Sequence, residues 1–217
     1  MNRRSAKEQR SGEFDRVFVA ALRAAGRCFA RVYHQLEVRS PCRLPRTGAA
    51  ILVSNHTSAL DPFLIQSVCP RLIVWMMARE YYEIPSLGWL FKGVQAIPVD
   101  RGGRDLTATR AALRALSDGR VVGIFPEGRI ESSRDLLPFH AGVAMISTHA
   151  GVPIYPAYLD GTQRGKDTVQ SVLQSQRGSV SFGPAVPWNP SPGIRRPDLS
   201  MLTEQIRQSV QELARSR

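Results

Sequence analysis

Residues 49–61 restrict the fold more than any other stretch of the chain. Ala49 to Val53 is an unbroken apolar run, Ser54-Asn55-His56-Thr57-Ser58-Ala59-Leu60-Asp61 follows, and Pro62 opens a second apolar run. That order reads as a buried strand, a polar loop, and a helix starting at Pro62. The pattern recurs. Leu72 to Ala78, Val121 to Phe125 and Val152 to Ala157 read as buried strands, and Ser179 to Gly183 as a last one. Helical patterns fall between them at 62–69, 85–92, Asp105 to Asp118 and within Leu136 to Ala150. Alternation of this kind from residue 49 to 183 predicts an α/β fold, a mainly parallel sheet flanked by helices.

The chain has 217 residues, the size of one domain with an ordinary core. Its formal charge is +11, carried by 26 Arg and 3 Lys. Such an excess implies an anionic partner: phosphate groups, an anionic membrane face or nucleic acid. Aromatic residues interleaved with the basic ones, and a recognition motif, are lacking, which argues against nucleic acid. Cys28, Cys42 and Cys69 are odd in number and without metal spacing, so they point to a reducing compartment and to small core fillers. No stretch reaches 18 apolar residues, and no cleavable leader pattern is seen; neither a membrane span nor a signal peptide is expected.

Residues 1–12 are polar and basic and read as disordered. From 13 to 37, apolar side chains recur at Phe14, Val17, Phe18, Ala21, Leu22, Ala25, Cys28, Phe29, Val32, Tyr33 and Leu36, with Arg16, Arg23, Arg27 and Arg31 opposite. This is an amphipathic basic helix. Two placements suit it: packed on the domain with a solvated arginine face, or lying in a membrane interface with the arginines toward lipid phosphates. Ser40 to Gly48 reads as a linker. The expected organisation is therefore 1–12, a helix and linker at 13–46, and a catalytic domain at 47–217. Leu199, Leu202, Ile206, Val210 and Leu213 give a C-terminal amphipathic packing helix.

Several strand ends carry chemistry. His56 stands five residues before Asp61, so on one helix the two would lie about 140° apart, and a turn must bring them together. If they meet, a carboxylate on one imidazole nitrogen fixes the tautomer, and the other nitrogen is free to take a proton from an alcohol near neutral pH. An N-capping Asp61 and a backbone-bonded His56 account for the same spacing. Gly93 to Arg101 reads as a strand delivering Asp100 and Arg101 to its end beside Gly102-Gly103, an arrangement suited to phosphate or to a surface ion pair with Asp100 or Asp105. Val121 to Phe125 runs into Pro126-Glu127-Gly128-Arg129, another strand end with a carboxylate and an arginine. Val152-Pro153-Ile154-Tyr155-Pro156 reads as a core strand with edge prolines.

Four of these stretches, in order, resemble the signature blocks of the glycerolipid acyltransferases, the 1-acylglycerol-3-phosphate acyltransferase family. Asn55, His56, Ser58 and Asp61 match the first (the His-x4-Asp motif), and Gly93, Ile97 and Arg101 the second. Phe125-Pro126-Glu127-Gly128 matches the third, and Val152-Pro153 with Pro156 the fourth. They span roughly half the chain. Arg129 and Ile130 stand where the family usually has Thr and Arg, and His140 where it commonly has a Lys. The resemblance implies transfer of a fatty acyl group from acyl-CoA or acyl carrier protein to the hydroxyl of 1-acyl-sn-glycerol-3-phosphate. In that scheme His56 is the base and Asp61 its orienter. Arg101 holds the phosphate with Arg129 as helper, and Glu127 orients acceptor hydroxyls or those arginines. Asn55 and Ser58 support the loop, and Gly128 and Pro153 help line the substrate site. No metal or redox cofactor is implied. A peripheral or monotopic position on the cytoplasmic face of the inner membrane goes with such a product. The altered blocks leave open another lysolipid acceptor, such as a lysophospholipid, a lyso-ornithine lipid or a glycolipid. A non-catalytic lipid-binding protein is the reading from a different class.

Overall fold

The computed structural model describes residues 24–84, 88–101, 105–131, 136–162, 175, 177–187 and 198–216. Expectations for residues 1–23, Pro85, Gly102-Gly103 and 188–197 lie outside them. Helix α1, described from residue 24, closes in a π-helical turn, Phe29–Tyr33. Strands β1 (Glu37–Val38) and β2 (Ala50–Ser54) follow, then α2 (Asp61–Val68) and β3 (Ile73–Ala78). Next come α3 (Arg79–Tyr82), α4 (Gly88–Gly93), β4 (Ile97–Val99), α5 (Leu106–Ser117) and β5 (Val121–Ile124). The chain ends with α6 (Gly142–Ala150), β6 (Ile154–Asp160), β7 (Ser179–Phe182) and α7 (Leu199–Arg215).

The strands form one sheet in the order β1-β7-β6-β2-β5-β3-β4. Every neighbouring pair is parallel except β6–β7. β2 is central, and all five of its residues are buried. Its alternating side chains serve two cores, as a strand covered on both faces requires. Ile51 and Val53 meet the layer of α5, α6 and α7 through Leu116, Val143 and Ile206. Ala50 and Leu52 meet the layer of α1 and α2 through Ala30, Leu64 and Ile65. Gly123 on β5 pairs across from Trp75, and a Cβ there would drive into the Trp75 ring and Ile73. Its lack of a side chain lets the indole lie over β5.

At the amino ends of the strands, Arg71 ties three chain entries together. Its guanidinium donates to the carbonyls of Pro45 (3.1 Å), Gly48 (2.6 Å) and Gly119 (2.7 Å). The opposite, carboxyl ends are thereby left to loops, which is where ligands bind on open parallel sheets.

Several sequence expectations change. The N-terminal helix ends at Tyr33 rather than 37, because Glu37 and Val38 pair in parallel with Ser179 and Val180. Part of the 13–46 segment thus belongs to the sheet. Gly93 to Ala96 is not strand: α4 runs to Gly93, and β4 is only three residues long. The sequence puts Leu106, Leu113 and Leu116 on one side of α5; Leu116 is buried and Leu113 packs on the core, but Leu106 is exposed, and Ala108, Ala112 and Ala115 complete the buried face. β6 is an interior strand, so Pro156 is no edge proline. Cys28 is exposed rather than core filler, whereas Cys69 is fully buried and Cys42 intermediate.

Candidate active site

The loop after β2 is held at both ends before any chemistry begins. Asn55 acts as an extra rung of the sheet. Its Nδ2 donates to the Leu159 carbonyl (2.9 Å), and its Oδ1 accepts from the Leu159 N–H (2.8 Å). The Thr57 hydroxyl bonds that of Thr162 just past β6. At the other end Asp61 is the first residue of α2, with Leu60 as N-cap, so it does not cap the helix as one reading had it. Its carboxylate instead turns back into the loop. Oδ2 accepts from the N–H groups of Thr57 (2.6 Å) and Ser58 (2.8 Å) and lies 3.0 Å from Nδ1 of His56. Ser58 braces the same turn, accepting the Leu60 N–H on Oγ (3.2 Å) and the Asp61 N–H on its carbonyl (3.0 Å).

The consequence for His56 is a fixed tautomer. An ionised carboxylate only accepts, so Nδ1 carries the proton and Nε2 presents a lone pair. Asp61 is wholly buried, while the His56 side chain keeps 14% of its surface open. The imidazole lies flat on Phe125, with centroids 4.1 Å apart and planes 17° apart, and Phe125 in turn stacks on Trp75 at 4.8 Å. This aromatic column fixes the ring plane that the Asp61 bond alone would leave free to tilt.

The loop after β5 closes on His56 from the other side. Glu127 is buried, and its Oε1 accepts the His56 backbone N–H at 3.2 Å. Glu131 N–H donates back to the His56 carbonyl (2.8 Å). Burial pushes the Glu127 carboxyl up to about 7; bonds from the His56 and Leu137 N–H groups oppose the rise, and the negative Glu131 and Asp61 add to it. Gly128 takes φ +71 in the turn, and His140 Nε2 sits 3.1 Å from where its Cβ would be. A side chain at 128 would be strained and would press on the His140 ring.

The structure thus brings Asn55, His56, Ser58, Asp61 and Glu127 together. Gly128 shapes the turn beside Glu127, and Arg129, Pro153 and Arg101 stand outside this cluster. Arg129 is exposed and faces Glu131 at 3.7 Å. Pro153 precedes β6, where its carbonyl accepts from Ile51 N–H at the start of β2, the far end of the sheet from His56. Arg101 stands past β4, three strands from β2, so about 14 Å away. It pairs with Glu80 at 3.2 Å, not with Asp100 or Asp105. Asp100 faces Arg79 (3.9 Å), and Asp105 caps α5 through the Ala108 N–H. Glu127 meets no arginine among the described residues. Sequence reasoning missed Arg79, although the logic applied to Arg101, an arginine at the end of an apolar strand, would have found it. It also missed Phe125 as the platform for His56.

A family model described as Acyltransferase matches residues 35–160. The chain is 27% identical over 179 residues to human 1-acyl-sn-glycerol-3-phosphate acyltransferase beta, taking in 81% of this chain and 63% of that protein, so it spans less than two thirds of the human relative. It is 25% identical to the Bacillus subtilis (strain 168) 1-acyl-sn-glycerol-3-phosphate acyltransferase over 182 residues, 82% of this chain and 87% of that one. Its fold is similar to the crystal structure of the 1-acyl-sn-glycerophosphate (LPA) acyltransferase PlsC from Thermotoga maritima. There the TM-score is 0.70 at 20% identity, covering 94% of this chain and 83% of that chain. The family match takes in every strand except β7 and both members of the His56–Asp61 pair, and on that ground the chain belongs to the acyltransferase family.

Proposed function

We propose that the chain acylates the free hydroxyl of 1-acyl-sn-glycerol-3-phosphate from a fatty acyl thioester, giving phosphatidic acid for phospholipid synthesis. The observation that carries this reading is the 3.0 Å contact between His56 Nδ1 and a wholly buried Asp61. His56 Nε2 takes the acceptor's hydroxyl proton as the oxygen attacks the thioester carbonyl. Asp61 stabilises the imidazolium that results. The tetrahedral intermediate collapses, the C–S bond breaks, and the thiolate leaves with the proton from His56. The thioester already supplies an activated acyl group, so the scheme calls on no further cofactor. Glu127 acts through the loop, holding the His56 backbone, rather than on the acceptor.

Arg101 and Arg79, at the ends of neighbouring parallel strands, form a two-guanidinium cradle for the acceptor's phosphate. The names of the human and Bacillus relatives support this acceptor. Exposed His140 beside Gly128 favours testing a second reading, the same transfer to a lysolipid with a different head group. The acyl carrier, coenzyme A or acyl carrier protein, is left to the assay. A peripheral seat on the cytoplasmic membrane face accords with the basic charge.

Thiol release from a long-chain acyl-CoA, with and without lysophosphatidate, tests the scheme. Wild type should release thiol only with acceptor, and His56→Ala should lose about a thousandfold of that rate while keeping its fold. Acceptor-dependent release that survives in His56→Ala would sink the mechanism. No release from wild type would turn the test to acyl carrier protein donors and other lysolipids.

A further inference from the structure

Two of the three cysteines meet in the fold. Cys42 lies between β1 and β2, Cys69 is the residue that ends α2, and their sulfurs are 3.3 Å apart. Cys69 is fully buried among Leu44, Ile65 and Val121; Cys42 lies at the margin of that cluster with part of its surface open. The S–H of Cys69 against the Cys42 sulfur lowers the Cys42 thiol's pKa, with burial opposing. One sulfur is therefore reachable and inclined to ionise, and the other waits behind it. A covalent bond needs the two to close by about 1.3 Å.

We propose that Cys42 and Cys69 form a dithiol site for two-electron oxidation by a hydroperoxide, Cys42 reacting first and Cys69 resolving it into a disulfide. The Cys42 thiolate attacks the terminal peroxide oxygen, the O–O bond breaks, and the departing oxygen is protonated, as water when the oxidant is hydrogen peroxide. The Cys69 sulfur then attacks the sulfenic sulfur. The S–O bond breaks, and hydroxide leaves as water with the Cys69 proton. Two thiols lose two electrons, and the peroxide takes them up.

The resulting bond closes a loop that contains β2, the whole His56 loop and α2, which begins with Asp61. Neither cysteine belongs to the dyad, so the bond clamps the scaffold of the site without touching its reacting atoms. It also joins the segment that follows β1 to the helix on which α1 rests, since Arg27 donates to the Ser67 carbonyl (3.0 Å) and Phe29 packs edge-on to Phe63.

The full chain carrying Cys28→Ser, which leaves only this pair, is treated with a few equivalents of hydrogen peroxide. Remaining thiols are then alkylated without reductant and the protein is digested with trypsin. The expected product joins the peptide of residues 40–43 to that of 47–71. Dithiothreitol reverses the link, and Cys42→Ser does not form it. The oxidised form should also melt about 5–10 °C above the reduced one. The proposal is overturned if Cys42 runs on to sulfinic acid while Cys69 stays alkylatable, or if both thiols survive peroxide. An unchanged or lower melting temperature on oxidation would remove the clamp.

Discussion

Asn55 and Glu127 carry His56 without touching a reacting atom. Asn55 spends its amide on Leu159, and Glu127 spends its carboxyl on the His56 backbone. For Glu127 the cost shows in its titration. Between its ordinary value and about 7, the folded chain holds a proton that the unfolded chain has released. Folded-state stability therefore falls as pH rises through that window and levels off above it. Thermal unfolding between pH 4.5 and 8 should show this decline in wild type, and Glu127→Gln should flatten it. An equal slope in both would mean that the carboxyl is not the group responsible. The residue types of this site were legible in the sequence, because His56, Asp61 and Glu127 each end or follow an apolar run. Their partners were not. Leu159 lies 104 positions from Asn55, and nothing local marks it. Asp61 looked like a cap because capping and bracing a loop use the same side chain at the same helix end.

At the scale of elements, β3 and β4 end side by side, with Ala78 paired to Val99. Arg79 follows β3 directly, and Arg101 stands two residues past β4. Arg79 is held by Asp100 and Glu83 and Arg101 by Glu80, at partly exposed positions where such pairs are weak. A phosphate dianion would displace them at little cost. Arg79→Ala and Arg101→Ala should each raise the KM for lysophosphatidate by about 10- to 100-fold, as for loss of a charged hydrogen bond. The KM for the acyl donor should stay put. A matching rise in the donor KM would place these arginines elsewhere in the reaction. The long apolar strands were readable because burial on both faces leaves continuous runs. β1 was not, since two residues carry no period; nor was α3, a single turn. β4 was drawn too long because Gly93 suggests a strand start when it ends a helix.

For the molecule as a whole, the question left by the sequence was whether the N-terminal helix faces lipid or its own domain. The described part packs on the domain and leaves one side exposed. Gly26 and Ala30 turn to α2, while Ala25, Cys28 and Val32 face outward, Val32 with 74% of its surface open. Within the described residues the apolar stripe read from the sequence is only partly the packed face: Phe29 and Leu36 pack inward, but Gly26 and Ala30, which lie off that stripe, make the contact with α2. Trp89 on α4 is also largely exposed. With a charge of +11, the chain should sediment with vesicles rich in anionic phospholipid and far less with phosphatidylcholine. Val32→Glu should weaken that binding about tenfold, by loss of apolar burial. Equal binding to both kinds of vesicle would rule out the electrostatic part.

The seven residues from Asn55 to Asp61 are pinned to β6 at one end and built into α2 at the other, and within them one carboxylate oxygen meets His56, Thr57 and Ser58 at once. The span itself is therefore under constraint. An insertion or deletion of one residue would keep the histidine and the aspartate and still part them. Over evolutionary change this loop is free to alter its letter at Ala59 but not its length.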